Sequence, residues 1–456
     1  MALTIDAIRE CLDGAIPGVI ATCAPDGTPN VTFLSEVHFV DNEHVALSFQ
    51  FFNKTRENVL ASRRARVLVM HPETAARYRL TLDYLRTETG GPLFESMKAK
   101  LAGIASHTGM AGVFRLLGSD VYRVRAIEHV PGQELPARPK RNLLSPLRAC
   151  SQRLAACVEL SGLFDETLAC LDALFDIHYA MVLVLDRAGE RLYTVASCGY
   201  EASGVGSEIP LGQGVIGVAA RERAPIRITH MTSDYAYGRA IRASLEQGEL
   251  AGMIETEIPL PGLAQSRSQL AVPIVVGTEL VGVLYVESPE DLRYGYDDED
   301  ALVAIAVQLG LAMDRLREEP EPGELPEAAD TRRAPRGAPA VIRHYAENDS
   351  VFIGDDYLIK GVAGAIFWKL VRDYVHSRRT EFTNRELRLD PTLRLPDVSD
   401  NLEARLILLS RRLAERCPFL RIERTGRGRF RLDVERPLEL RDVPDGDAAR
   451  RAQRGT

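Results

Sequence analysis

Residues 317–340, REEPEPGELPEAADTRRAPRGAPA, hold almost nothing that a core could use. Pro, Glu, Arg and Ala dominate, with no apolar period. Such a segment cannot offset its ordering entropy by burial, so it predicts a flexible linker. A chain interrupted in this way does not fold around one centre. Its length of 456 residues agrees, because single cores stop growing near roughly 250–300 residues. A weaker break lies at 129–146, HVPGQELPARPKRNLLSP, and the end, DVPDGDAARRAQRGT, is again poor in apolar residues. The breaks predict folded units at 1–132, 145–318 and 343–436, a flexible linker over 319–342 and a disordered tail over 437–456. Strand and helix signals mix within them, so the class is multidomain α+β.

The apolar fraction of 45% and charged fraction of 26% suit a soluble globular protein. A net charge of −8 argues against a chain that binds polyanions over its whole surface, while leaving one unit free to do so. No apolar run reaches the roughly 18 residues of a membrane span. The best, LAVPIVVGTELVGVLYV, is broken by Pro273, Gly277 and Glu279. The start, MALTIDAIRECLDG, carries Asp6, Arg9, Glu10 and Asp13 and lacks the shape of a secretion signal. Seven cysteines without a Cys-x-x-Cys point to reduced thiols and a cytoplasmic location. Cys150 and Cys157 share a helix face and read as buried small residues. No metal-ligand spacing occurs.

In the first unit, GVIATCAPDGTPNVTFLSEVHFVDNEHVALSFQ reads as strands separated by Pro25-Asp26-Gly27-Thr28 and Asp41-Asn42-Glu43. TRENVLASRRARVLVM predicts a short helix and another strand, 78–110 a helical insertion, and MAGVFRLLGSDVYRVRAIEHV two strands around Gly118-Ser119-Asp120. Meandering strands with one short helix predict a small antiparallel barrel. An aromatic strand end then meets Lys54-Thr55-Arg56. Two cations and a hydroxyl at a helix start are donors suited to a phosphate, or else a solvated strand end capped by Thr55. His38, His71 and His107 read singly as surface or core histidines.

The pattern DGxPxVxxL (Asp26, Gly27, Pro29, Val31, Leu34) and the basic cluster before an Asn-bearing helix resemble the FMN-binding split barrels of the pyridoxamine 5'-phosphate oxidase-like family. The resemblance covers 1–132 and implies an N-terminal split β-barrel with its ligand at a homodimer interface. It implies that Lys54, Thr55 and Arg56 grip the phosphate of FMN. Ser48, Phe49, Gln50 and Phe51 would lie beside the ring and ribityl chain. Relatives that bind haem or a deazaflavin, or no cofactor, keep those outcomes open.

The second unit opens with helical periodicity in LRACSQRLAACVELSGLFDETLACLDALF. Strands follow at AMVLVLDRAGERLYTVASCG, a Gly-rich turn and helix at IPLGQGVIGVAARERAPIRI, two strands around Val276-Gly277-Thr278, and an acid-capped helix in YDDEDALVAIAVQLGLAMDRL. LGQGVIG, RAPIRI, LAVPI and LVGVLYVES, in that order, resemble a GAF domain, so a central α/β GAF domain is expected. Gly212, Gly214 and Gly217 read as tight turn and close packing, because no βαβ unit makes them a nucleotide fingerprint. The resemblance implies a small-molecule pocket. Its candidate lining residues are Cys198, His230, Asp234, Tyr235 and Tyr237, and the ligand is open.

The third unit reads as a hairpin, an amphipathic helix burying Ile366, Phe367, Leu370 and Val371, and a second helix N-capped by Thr383 with Glu386 three residues on. A longer helix with Leu402, Leu406, Leu409 and Leu413 on one face follows, then a hairpin tipped by Thr425-Gly426-Arg427-Gly428. LSRRLAE and RIERTGRGRFRL resemble the winged-helix effector domain of OmpR-type response regulators. The resemblance implies duplex DNA as partner. Phosphates would meet Arg411, Arg412, Arg427 and Arg429, and bases would meet Asn401 or Arg405. Residues 343–436 carry 19 Lys and Arg against 15 Asp and Glu, positive where the chain is negative. Asp400 and Glu403, early on the long helix, oppose phosphate. A winged helix that contacts protein is the alternative.

Sensor, sensor, effector is the simplest account of this order. The expectation is a homodimeric, cytoplasmic transcription regulator that senses a small molecule or redox state and reads it out on DNA. An FMN-dependent oxidoreductase with regulatory appendages, or a ligand-free signalling scaffold, are the competing classes. No residue presents itself as a catalytic base beside a flavin.

Overall fold

The structure is a computed structural model and describes residues 3–12, 16–34, 36–49, 53–91, 93–95, 97–98, 101, 116–137, 141–186, 190–228, 258–317, 336–393, 402–426 and 428–443. The first unit contains β1 (Gly18–Cys23), β2 (Pro29–Leu34), β3 (Val37–Phe39), β4 (His44–Phe49), α1 (Asn53–Ser62), β5 (Arg64–Met70), β6 (Arg77–Glu88) and β7 (Gly118–Val130). The turn between β1 and β2 is held by Asp26, whose Oδ1 accepts from the Thr28 N–H at 2.9 Å, with Gly27 at φ +89°. The strands form one seven-stranded antiparallel sheet in the order β2-β1-β5-β6-β7-β4-β3. Leu34 from one edge, Val37 from the other and Leu80 from the middle share a single core, so the sheet wraps around it.

Two expectations fail in this unit. Residues 77–88 are a strand and not the start of a helical insertion. Tyr78, Leu80, Leu82 and Tyr84 alternate with polar residues, and period two belongs to a half-buried strand. Gly118-Ser119-Asp120 is no turn but the start of the long β7. A Cβ on Gly118 would lie 2.6 Å from Thr87 Cγ2, so this glycine serves close packing between strands.

The central unit runs α2 (Leu144–Ala156), α3 (Leu160–Phe175), β8 (Tyr179–Asp186), β9 (Arg191–Cys198), β10 (Glu208–Pro210), α4 (Gly214–Glu222), β11 (Ile226–Ile228), β12 (Ser268–Val276), β13 (Glu279–Ser288) and α5 (Tyr296–Arg317). The sheet order is β10-β9-β8-β13-β12-β11. One face packs on α2, α3 and α5, the other on α4. A Cβ on Gly217 would stand 2.4 Å from the Pro210 carbonyl oxygen, and Gly212 and Gly214 sit at φ +84° and +62°. Tight packing and positive φ explain all three glycines.

The last unit comprises β14 (Ala340–Tyr345), β15 (Ser350–Ile353), β16 (Asp356–Ile359), α6 (Gly361–Ser377), β17 (Glu381–Thr383), α7 (Asn384–Leu389), α8 (Leu402–Arg416), β18 (Leu420–Gly426), β19 (Arg429–Val434) and β20 (Leu438–Val443). Thr383 Oγ1 accepts from the Glu386 N–H at 3.2 Å, the expected cap of α7. The expected boundaries move outward. Strand β14 begins inside the expected linker, and β20, inside the expected tail, pairs with it in parallel. The cause is the alternation of Leu438 and Leu440, both packed on the core. Residues 319–335 of the expected linker and 444–456 of the expected tail lie outside the described set.

The units touch. Arg9 of the first stacks over Tyr296 of the second at 4.2 Å and pairs with Asp300 at 3.1 Å. The buried apolar cluster on the α2–α3–α5 side of the central sheet continues into α6 and α8 of the last unit.

Candidate functional sites

The first site grows from the end of β4. Lys54, Thr55 and Arg56 occupy the first turn of α1, as the sequence suggested. Their side chains are differently employed. Lys54 is exposed. The Thr55 hydroxyl is buried and accepts from Asn30 Nδ2 at 2.8 Å. The Arg56 guanidinium lies 3.8 Å over the Phe49 ring, donates to both Asp120 oxygens at 2.7 Å, and donates to Thr87 Oγ1 at 3.1 Å. Thr87 Oγ1 also donates to Asp120, and Tyr84 Oη lies 2.7 Å from it. A phosphate dianion at Arg56 would meet the Asp120 carboxylate. The three residues therefore do not fit as a unit around the phosphate of FMN, and the expected grip is corrected. Asp120, expected at a turn, supplies the anion instead. Ser48 faces Ser119 across β4 and β7, both buried, each hydroxyl without a hydrogen bond. Gln50 and Phe51 lie outside the described residues.

The histidines take structural partners. His38 is 3.3 Å from Glu36 and His71 is 2.7 Å from Glu10, while His107 is outside the described residues. His71 lines a cleft of about 660 Å³ between the first and central units, whose rim carries both Arg141 and Arg293 and several carboxylates. Among the described residues no group of three or more His, Cys, Asp or Glu stands close enough to hold a metal.

The second site is on the central sheet. Cys198 packs with the helical layer, its thiol donating to the His178 carbonyl at 3.6 Å, and burial pushes that thiol up. It belongs to the face opposite α4 and leaves the candidate pocket. His230, Asp234, Tyr235 and Tyr237 lie outside the described residues. The α4 face carries a polar group that the sequence reading missed: Glu287 and Gln269, paired across β13 and β12, with Tyr285 and Tyr200 beside them. Glu287 is 2% exposed. It accepts from the Leu263 N–H at 3.0 Å and from Tyr285 Oη at 3.4 Å, and among the described residues no cation pairs with it. Burial, and then the nearby Glu287 charge, push the Tyr200 hydroxyl far up. The only sequence signal was an acid at the end of an otherwise apolar strand, LVGVLYVES.

The third site is α8 with the β18–β19 hairpin, where they meet the central domain. Arg405 is buried and pairs with Asp186 of β8 at 2.9 Å. Arg411 pairs with Asp165 of α3 at 2.6 Å and donates to the Val195 carbonyl at 3.0 Å. Arg424, on β18, pairs with Glu159 at 3.3 Å and with Glu403 of α8. Lys360 lies 3.6 Å from Glu208, and Ser203 Oγ donates to Glu415 at 2.5 Å. Arg412 has another task. It is 3% exposed, donates to the Leu358 carbonyl of its own domain at 3.2 Å, and burial pushes its basicity down. It ties α8 to β16, which corrects its expected role as a phosphate contact. Arg429 lines a cavity of about 220 Å³ with Arg411, Arg424, Glu159 and Ser161. Asp400, Asn401 and Arg427 lie outside the described residues.

Two family matches accord with this geometry. The pyridoxamine 5'-phosphate oxidase family matches residues 4–107 and the GAF domain family residues 159–313. No curated protein matches the chain. Among solved structures, the GAF domain from an Acinetobacter phosphoenolpyruvate-protein phosphotransferase is 21% identical, over 39% of this chain and 95% of that one, with a TM-score of 0.30. A free methionine-R-sulfoxide reductase from Neisseria meningitidis in complex with its substrate is 17% identical, over 40% and 98%, with a TM-score of 0.30. An FMN-binding protein from Syntrophomonas wolfei is 15% identical, over 27% and 84%, with a TM-score of 0.23. The chain thus joins a pyridoxamine 5'-phosphate oxidase-like domain to a GAF domain, a pairing that supports a sensor role.

Proposed function

We propose that the chain is a small-molecule-responsive regulator whose C-terminal unit is a winged helix that binds duplex DNA. One observation carries this reading: Arg405, Arg411, Arg424 and Lys360, on and beside α8 and the hairpin, each meet a carboxylate of the central domain. A surface that gathers anions in this way is chemically suited to a phosphate backbone. The order α6–β17–α7–α8–β18–β19, with β17-β19-β18 as a small sheet, agrees with a helix and wing presented together. The GAF domain supplies the sensing, through the buried polar group of Glu287, Gln269, Tyr285 and Tyr200.

Duplex fragments titrated against the full chain test the DNA reading. Affinity should fall with salt at a log–log slope of about −0.9 per phosphate. Changing Arg427 and Arg429 together to Ala should weaken all sequences alike and flatten the slope by about two units. Binding that ignores salt would remove it. For the first domain the family resemblance favours a flavin, held by residues other than Arg56. The purified full chain should then absorb as oxidised flavin, and a colourless protein would exclude it. Homodimerisation belongs to the same proposal, since Val31 and Phe33 on the edge strand β2 are 64% and 72% exposed; sedimentation as a monomer would refute it.

A further inference from the structure

The anions that α8 and its hairpin meet are not scattered. Glu159 lies just before α3 and Asp165 in its second turn, Asp186 ends β8, and Glu208 begins β10. These elements adjoin along one side of the central domain, and their partners adjoin along one side of the last. Arg411 reaches the Val195 carbonyl and both the carbonyl and hydroxyl of Ser161, besides Asp165. Apolar packing seals the contact. Leu408 and Arg412 would stand 3.7 Å from a Cβ on Gly206, ordinary contact distance, so the central domain packs directly on the helix there. The result is a helix covered nearly all round: residues 404–409 are all buried. A helix apolar on one face and basic on the other is normally half exposed. Here Arg405 and Arg411, on the basic side, are covered by acids of the central domain.

We infer that the acidic side of the GAF domain is an internal competitor for DNA: it occupies the anion-binding face of α8 and the hairpin, so that the state described here is closed to duplex. This rests on the DNA reading above. Carboxylates stand where phosphates would stand, and both cannot be satisfied by the same guanidinium forks at once. Because the competitor is tethered, its effective concentration is set by the linker and not by the amount of protein. Apparent affinity for DNA is reduced by the fraction of molecules that are undocked. A ligand that favours the undocked arrangement opens the regulator, because it shifts the equilibrium by its differential affinity for the two states.

The full chain tests this with substitutions confined to the GAF side, which leave every proposed DNA contact in place. The double variant Glu159→Gln, Asp165→Asn removes carboxylates that are 54% and 65% exposed, so the fold is not at risk. The quadruple variant adds Asp186→Asn and Glu208→Gln. Duplex DNA of mixed sequence is the probe, and amide exchange of 402–416 reports undocking independently. The double variant should bind two- to fivefold more tightly than the wild type and the quadruple variant tenfold or more, with faster exchange in α8. Equal affinity of all three despite faster exchange would overturn the competition and leave DNA binding intact. Unchanged exchange would overturn the ionic clamp itself. Faster exchange with no DNA bound by any of them would overturn the DNA reading, and make this face a structural contact between domains.

Discussion

At the scale of single residues, the same side chain types serve opposite ends according to what faces them. Arg56 looked like a phosphate donor and is the counter-ion of Asp120, two chain segments away. Replacing Arg56 with Ala leaves Asp120, only 9% exposed, with Thr87 as its remaining partner. The loss should be roughly 2–3 kcal/mol, the cost of an uncompensated buried charge moderated by one hydroxyl. Denaturant unfolding of the first domain measures it, and an unchanged midpoint would show the pair to be idle. Asp390 carries the clearest acid-side signature. Burial raises its pKa, but Lys369 at 2.8 Å and the Thr392 hydroxyl and N–H outweigh it, holding the carboxyl at about 2. A carboxyl depressed in the folded state stabilises above its ordinary value of 3.8 and loses that contribution as pH falls through about 2. Lys369→Ala should return the Asp390 titration, followed by carbonyl NMR, towards the ordinary value and shift acid unfolding of this domain upward in pH.

At the scale of elements, close approach of backbones sets what the Gly-rich turn tolerates. Gly217→Ala places a methyl 2.4 Å from the Pro210 carbonyl, against backbone that cannot rotate away. The central domain should lose about 2 kcal/mol or more, seen as a lower thermal midpoint. An unshifted midpoint would mean that the turn relaxes freely. Strand β13 presents the reverse case. Glu287 is buried and faces no cation among the described residues, and a buried carboxylate without a counter-ion is costly. Glu287→Gln keeps an acceptor for the Leu263 N–H and removes the charge. It should stabilise the central domain by about 1 kcal/mol while abolishing any ligand-dependent gain in thermal midpoint. Destabilisation instead would mark Glu287 as a structural anion.

At the scale of the molecule, ionic contacts between units do more than hold them together. Surface pairs are each worth about 0–1 kcal/mol, so a set of four makes a contact that can open. The Arg405–Asp186 pair is the exception, since Arg405 is 5% exposed and loses water on docking. Opening must rehydrate it. High salt should therefore loosen Arg411 and Arg424 before Arg405, and residue-resolved exchange along α8 should show that order. Simultaneous loss of all three would point to a cooperative interface held by its apolar packing.

The sequence by itself determined the GAF domain and the pyridoxamine 5'-phosphate oxidase-like domain before it, with most of their local turns and caps. Those rest on local signals: apolar period, the turn at Asp26-Gly27, the cap at Thr383, and glycines spaced for a tight bend. Arg77–Glu88 is a strand where a helical insertion was expected, because Tyr78, Leu80, Leu82 and Tyr84 alternate with polar residues. Leu438–Val443 is a strand where tail was expected, because six residues beside a polar stretch carry little local signal until β14 pairs with them. Tertiary structure alone decided which charges meet. Asp120 comes to Arg56 from 64 residues away, and Asp165 to Arg411 from 246. No periodicity records such a pairing, because a salt bridge depends on where two surfaces arrive and not on spacing along either. For the same reason a basic helix reads identically in sequence whether its partner is DNA or the acidic flank of its own sensor domain.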